Sequence, residues 1–339
     1  MTSALWIAAS GLPVHGLIGA IPPACRHTVE GPSRVQVAGE EALVQTPAWP
    51  AAGATTFVPS FALHSTQPFS GRLELSVRVD GAWSPWVAGV GLGPASFEPS
   101  PPAESLAVDI DVFRARVPVE AARLRLRLRA HDPAAVLAAP WMLTLSASPK
   151  APAISAGAAA LPNARGVRLS VPARSQMQAE AAIAPRICSP TCVAMVLDFW
   201  RRPVRLGELA AEMFHPGVDL YGVWPAAIMA GGRRGLAGYL LRFPDWDAAA
   251  WCLARGLPII ASIRYQAGEL AGAAVAQTSG HLIVLTGWDG EDVLVNDPAA
   301  PTADAVGRRY RRDELGRVWL ERNGVGYVLF PAEADLRGE

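Results

Sequence analysis

The chain has 339 residues, 51% of them hydrophobic and 18% charged, which is enough apolar surface for two cores and too little charge for extended disorder. Its 30 basic and 30 acidic residues cancel, so no net field draws it toward nucleic acid or an anionic membrane surface. Four cysteines (Cys25, Cys188, Cys192, Cys252) are too few for a disulfide scaffold. With no Cys-x-x-Cys and scattered histidines there is no metal site to propose, and nothing calls for a cofactor.

Residues 2–25 are uncharged, but Gly11, Pro13, Gly16, Pro22 and Pro23 interrupt them, which argues against a membrane-spanning helix. A secretory signal normally opens with basic residues, and the first here is Arg26. Residues 1–35 are therefore expected to be a signal-like or poorly ordered segment. If 1–25 act as a signal, the protein is secreted or belongs to the cell envelope; otherwise it is cytoplasmic.

Residues 36–147 read as β. Residues 72–79 alternate polar and apolar and end in the turn dipeptide Asp80-Gly81. Residues 121–130 alternate more cleanly, and weaker strands are predicted near 54–58, 86–91, 107–114 and 141–147. Short strands with turn residues between them predict an antiparallel β-sandwich. Arg123, Arg125, Arg127 and Arg129 fall on one strand face, which reads first as a solvated outer face and, more sharply, as a site for an anionic polymer such as cell-wall glycan. Trp83 and Trp86 are candidates for stacking on sugars or for the core. Residues 148–167, rich in Ala, Pro, Ser and Gly, read as a linker.

From 168 to 339 the pattern changes to α+β. Helices are predicted over Cys188–Trp200, 206–214, 223–230 and 245–255, the last ended by Gly256. Strands are predicted over 237–243, 258–265, 281–288, 292–296 and 325–330. Residues 265–280, long and small-residued, are expected to form a mobile loop bordering a cleft.

The chemistry gathers in this half. Cys188 opens a helix, with Ser189 or Thr191 able to cap and Pro190 suited to the first turn; a helix N-terminus favours the thiolate. A thiol nucleophile needs a base. His215, in Met-Phe-His-Pro-Gly, looks like a surface residue at a helix end, whereas His281 opens an apolar strand after Ser279-Gly280. Asp297 ends the next strand, and a hairpin turning at Asp289-Gly290 brings both to one sheet edge, which places a carboxylate to orient the imidazole. Upstream, Gln176 offers an amide for an oxyanion, with Gln178 as a competitor. Cys192, one helical turn beyond Cys188, is expected to be buried and unbonded.

The ordered set Gln176, Cys188-Ser-Pro-Thr, Gly-His281 and Asn-Asp297-Pro resembles the C39-like branch of papain-fold cysteine peptidases over about residues 168–332, and the sandwich ahead of it resembles the front domain of bacterial proteins of that type. The resemblance implies a papain-like domain with Cys188 as nucleophile, His281 as base, Asp297 as orienting group and Gln176 as oxyanion donor, acting on a peptide or protein substrate, cell-wall-associated ones included. Bacteriocin-processing members carry Cys-Gly-Pro and are fused to a transporter, so processing during export is not implied here. An acyl transferase of the same fold, transglutaminase-like or phytochelatin-synthase-like, and a non-catalytic binding protein are the alternatives.

Overall fold

The alternation in residues 72–79 and 121–130 becomes a pair of adjacent antiparallel strands in the computed structural model, which describes residues 3–27, 34–149 and 166–333. In chain order the first half contributes β1 (Ala4–Ser10), α1 (Val14–Gly19), β2 (Arg34–Ala38), β3 (Glu41–Gln45), β4 (Thr56–Leu63), β5 (Ser70–Val79), β6 (Ala82–Trp83), β7 (Val87–Leu92), β8 (Leu106–Asp109), β9 (Val112–Ala115), β10 (Ala121–Arg129), α2 (Pro133–Leu137) and β11 (Trp141–Ser148). One antiparallel sheet runs β1-β11-β4-β9-β8; another runs β2-β3-β10-β5-β6, with β7 also on β5. Residues of both sheets meet in one apolar core, with Phe57, Phe61 and Leu145 from the first and Val44, Leu75 and Leu126 from the second.

The outward arginines of β10 are not simply solvated. Arg125 and Arg127 join Arg72 on the buried carboxylate of Glu74, and Arg127 and Arg129 bind Glu41. Arg123 lies over Trp83 at 4.4 Å and Trp86 at 4.8 Å, and Arg125 over Trp86 at 4.3 Å. Both tryptophans are thus half-buried against guanidinium groups, so neither is a bare platform for sugars, and the charges facing Glu74 and Glu41 are already compensated.

The second half contributes β12 (Val167–Arg168), α3 (Cys188–Phe199), α4 (Leu206–Met213), α5 (Trp224–Gly232), β13 (Ala237–Arg242), α6 (Trp246–Ala254), β14 (Ile259–Tyr265), β15 (Thr278–Asp289), β16 (Asp292–Asn296), β17 (Gly307–Arg311), α7 (Arg312–Val318) and β18 (Val325–Phe330). Its antiparallel sheet runs β13-β18-β14-β15-β16-β17, and β12 adds to β15. Helix α3 buries Cys192, Val193, Val196 and Leu197 and packs on β15. Asp245 caps α6 through Ala248 N–H at 2.9 Å, and Gly256, at φ +84°, ends that helix as the sequence predicts. Among the described residues no helix is long and apolar enough to cross a membrane.

Three expectations change. Residues 4–25, expected to be signal-like or poorly ordered, form β1, α1 and a 3₁₀ turn at Pro23–Cys25. Strand β1 pairs with β11 and is buried on both faces: Ala4, Trp6 and Ala8 enter the first-half core, while Leu5 and Ile7 enter the core of the second half. A strand covered on both sides has no polar face, which is why it reads as an uninterrupted apolar run. The strand predicted over 107–114 is two, β8 and β9, because Ile110 takes a left-handed conformation (φ +57°) and reverses the chain. The loop expected to be mobile is shorter and tethered. Tyr265 ends β14, Thr278–Gly280 begin β15, and between them Gln266 N–H binds Glu269, Ala271 N–H binds Glu314, and Gly272 C=O accepts from Arg308. Most of the expected linker, residues 150–165, lies outside the described residues.

Polar and close contacts join the halves. Ser60 Oγ accepts from Leu240 N–H (3.3 Å) and Ser146 Oγ from Arg242 N–H (3.0 Å). Arg233 donates to Phe69 C=O at 3.1 Å. Gly232, at the end of α5, lies so close to β4 that a Cβ there would meet Leu63 N at 2.6 Å. Gly16 of α1 likewise meets the far end of the chain, where a Cβ would stand 1.9 Å from Ala332 C=O.

Candidate active site

Cys188 is the first residue of α3. Its helix has no side-chain cap: Ile187 holds that position, and Thr191 donates its hydroxyl to Ile187 C=O at 2.7 Å, so neither Ser189 nor Thr191 caps as expected. The apolar run that follows buries the helix body and leaves Cys188 half-buried at its start. In this first turn Pro190 has no N–H and Thr191 N–H goes to Ile187 C=O at 3.0 Å, so it is the N–H of Ser189 that meets the thiol.

His281 stands on β15 opposite Ile263 of β14, and Asp297 follows β16 directly. The hairpin brings His281 Nε2 to 2.8 Å from Asp297 Oδ1, both buried. The other ring nitrogen is left for Cys188, whose thiol interacts with the imidazole. Burial alone would push the thiol up; the His281 contact, with backbone N–H groups of Leu282 and Ser189, outweighs it and holds Cys188 below the ordinary thiol range. Burial opposes charge on His281 as well, but Asp297 and Cys188 raise the imidazole from 6.5 to about 10. Asp297 is held low despite its burial, by His281, by Tyr310 and by Ala299 N–H. The arrangement favours a thiolate beside an imidazolium, which is the nucleophilic form of a cysteine at neutral pH.

Sequence reasoning missed Tyr310. Its hydroxyl donates to Asp297 Oδ2 at 2.6 Å from a fully buried side chain near the end of β17. That strand, Gly-Arg-Arg-Tyr-Arg, is charged on its outer positions and gave no apolar run to find; the alternation around Tyr310 was its only signal.

Gln176 lies apart from this chain of hydrogen bonds. Its backbone N–H donates to Pro298 C=O at 2.9 Å, which ties it to the turn after Asp297. Its side chain is buried and donates from Nε2 to Ala184 C=O at 2.8 Å, leaving one amide hydrogen uncommitted. The competitor Gln178 lies in the same 3₁₀ turn. His215 is removed from the site: its Nε2 meets Gly91 C=O of β7 at 2.8 Å, joining the two halves rather than standing free at the surface. Cys192 is fully buried and unbonded to any sulfur, donates to Leu282 C=O at 3.2 Å, and has its thiol pushed well above the ordinary range by burial and the neighbouring Cys188.

Residues 168–327, which hold all of these groups except those of the first-half sheets, match the model of the Peptidase_C39 like family. The match covers a little under half of the chain. Two solved structures are similar to the chain. One is a double glycine motif protease from an AMS/PCAT transporter, crystallised with the leader peptide, at 19% identity and TM-score 0.33, covering 49% of this chain and 94% of that one. The other, from Bacillus anthracis, bears the description C39-like peptidase, at 19% identity and TM-score 0.39, covering 49% and 97%. A search of curated proteins finds no match.

Cys188 opens onto a cavity of about 920 Å³. Ser279, Gly280 and Leu282 of the C39-like segment line it beside the thiol, and Thr56, Ile110, Asp111 and Arg114 of the first half line the opposite side.

Proposed function

We propose that this protein is a cysteine peptidase that cleaves peptide amides through a thioester on Cys188. The observation that carries this reading is the hydrogen-bonded series His281–Asp297–Tyr310 set against Cys188, whose thiol opens onto a cavity large enough for a peptide segment. The Cys188 thiolate adds to the carbonyl carbon, forming a C–S bond and moving the π pair onto oxygen. The oxyanion is met by N–H groups at the start of α3 and by the uncommitted amide hydrogen of Gln176. Collapse breaks the C–N bond as His281 passes its proton to the leaving amine. Neutral His281 then takes a proton from water, whose oxygen attacks the thioester; the C–S bond breaks, the acid leaves, and the thiolate–imidazolium pair returns. Asp297 orients the ring and favours its charged form, and Tyr310 orients Asp297.

We also read the first half as a β-sandwich domain, with β1 as one of its strands, ahead of a papain-like domain.

The test is incubation of wild type and Cys188→Ala with a diverse peptide library, read by mass spectrometry. Cleavage products that have gained water, made by wild type alone, are the expected result. Products carrying an added amine instead would mean acyl transfer, and equal turnover by both proteins would remove Cys188 from the mechanism.

A further inference from the structure

The cavity in front of Cys188 is built by both halves of the chain. The β8–β9 hairpin forms one wall, and it is fixed rather than loosely attached: buried Asp111 accepts the N–H of Trp224, the first residue of α5, at 2.6 Å. The joint is extended by His215 on Gly91 and by Arg233, which both donates to Phe69 C=O and lies 4.7 Å from its ring. A substrate reaching Cys188 therefore runs between the two halves.

Charge in this cleft is unevenly matched. Most arginines of this neutral chain have carboxylate partners: Arg174 has Asp198, Arg234 has Glu212 and Arg312 has Glu291, besides the ladder on Glu74 and Glu41. In the cleft, Arg186 is taken by Asp219, and Arg322 by Glu269. Arg242 donates to Ser148 Oγ and to Asn323 C=O. Arg114, Arg116 and Arg264 differ: each lines the cavity, each is exposed, and none forms an ion pair with any described residue. Arg114 and Arg116 come from β9 and its end. Arg264 lies between buried Ile263 and Tyr265 on β14, at an irregularity in the pairing with β15, and is exposed to the cavity that Cys188 lines. Three carboxylates line the cavity: Asp219 is paired with Arg186 and Asp111 is buried and committed to Trp224, which leaves exposed Asp109 to face these three guanidinium groups.

We propose that Arg114 and Arg116 of the first half and Arg264 of the second form a cationic grip for peptide substrates with acidic side chains near the scissile bond. This makes the first half a specificity element of the active site rather than a separate binding module. It rests on the peptidase reading for the phrase "scissile bond", but the grip itself is a matter of binding. A guanidinium fork suits carboxylates held in two-point contact, and two such forks across a cleft favour a strand carrying acids on alternate residues.

The test separates binding from turnover. Cys188→Ala is titrated with a fluorescein-labelled Gly-Glu alternating peptide and its Gly-Gln counterpart, followed by fluorescence anisotropy. The Glu peptide is expected to bind at least tenfold more tightly. That preference should weaken as NaCl is raised and disappear when Arg114→Gln, Arg116→Gln and Arg264→Gln are combined with Cys188→Ala. These side chains are exposed, so an unchanged thermal midpoint checks that the fold survives. Equal binding of the two peptides, binding of neither, an unchanged preference in the combined variant, or binding of polygalacturonate but not the Glu peptide would each overturn the grip. A protein that binds the Glu peptide as expected, while wild type never cleaves any peptide, keeps the grip and loses the peptidase reading.

Discussion

Replacing Asp297 with Asn isolates the charge in the site from its shape. Asp297 Oδ1 lies 2.8 Å from His281 Nε2 and 3.0 Å from Ala299 N–H, and Oδ2 accepts from Tyr310 at 2.6 Å. An Asn side chain can keep its oxygen on His281 and Ala299 while its nitrogen faces Tyr310, whose hydroxyl turns to accept. The hydrogen-bond geometry survives and the charge is lost. Removing one buried charge-assisted hydrogen bond costs about 1.5–3 kcal/mol, or roughly 10- to 150-fold in kcat/KM. The tautomer penalty that makes this change severe in serine triads does not apply, because both nitrogens of an imidazolium carry protons. His281 is raised from 6.5 to about 10, so the imidazolium persists through neutral pH and is lost as pH climbs through about 10. Without the carboxylate, burial dominates and the alkaline limb of the kcat/KM profile should move to lower pH. The same shift should appear in the pH dependence of Cys188 alkylation by iodoacetamide. An unchanged alkaline limb, or a loss as deep as that of His281→Ala, would refute the reasoning.

Cys188→Ala should abolish turnover and leave the circular dichroism spectrum unaltered, since the residue sits half-buried at a helix end. Mass mapping after brief alkylation should find label on Cys188 and not on Cys192, and Cys192→Ser should keep most activity. Tyr310→Phe removes one hydrogen bond to Asp297 and should lower kcat/KM by about 10-fold, the scale of one lost hydrogen bond to a charged group, with a smaller alkaline shift than Asp297→Asn. Gly232→Ala puts a Cβ 2.6 Å from Leu63 N, backbone that cannot swing aside, so calorimetry should show a loss of about 1–3 kcal/mol, the usual cost of overpacking.

How much of this was legible in the sequence depended on which faces of each element are covered. Strands β5 and β10 announced themselves because one face is apolar and the other polar, and α3 because Cys188 precedes a long buried run. The His281–Asp297 pairing was legible because a hairpin with a strong turn signal fixes which strand ends meet. Strand β1 was not, because burial on both faces erases the period. The break between β8 and β9 was hidden in a left-handed Ile110, a residue that seldom takes that conformation. Tyr310 acts across a strand pairing, β16 to β17, that local sequence does not specify. The arginine face of β10 was read correctly as outward, but the Trp83 and Trp86 rings that cover it come from a different part of the chain.

Strand β1 carries one more consequence, for the order of assembly. It pairs with β11, more than a hundred residues later, and its Leu5 and Ile7 rest in a core made by residues synthesised later still. Strand β1 must therefore wait for residues far later in the sequence before both its faces are covered, which predicts slow, late docking and a dependence on chaperones during synthesis. Cutting the chain between its halves would not give two self-sufficient pieces: the later piece would lose the apolar side chains of β1 and α1 from its core, and the earlier one would expose them to water. The two halves are best regarded as one cooperative folding unit closed by strand β1.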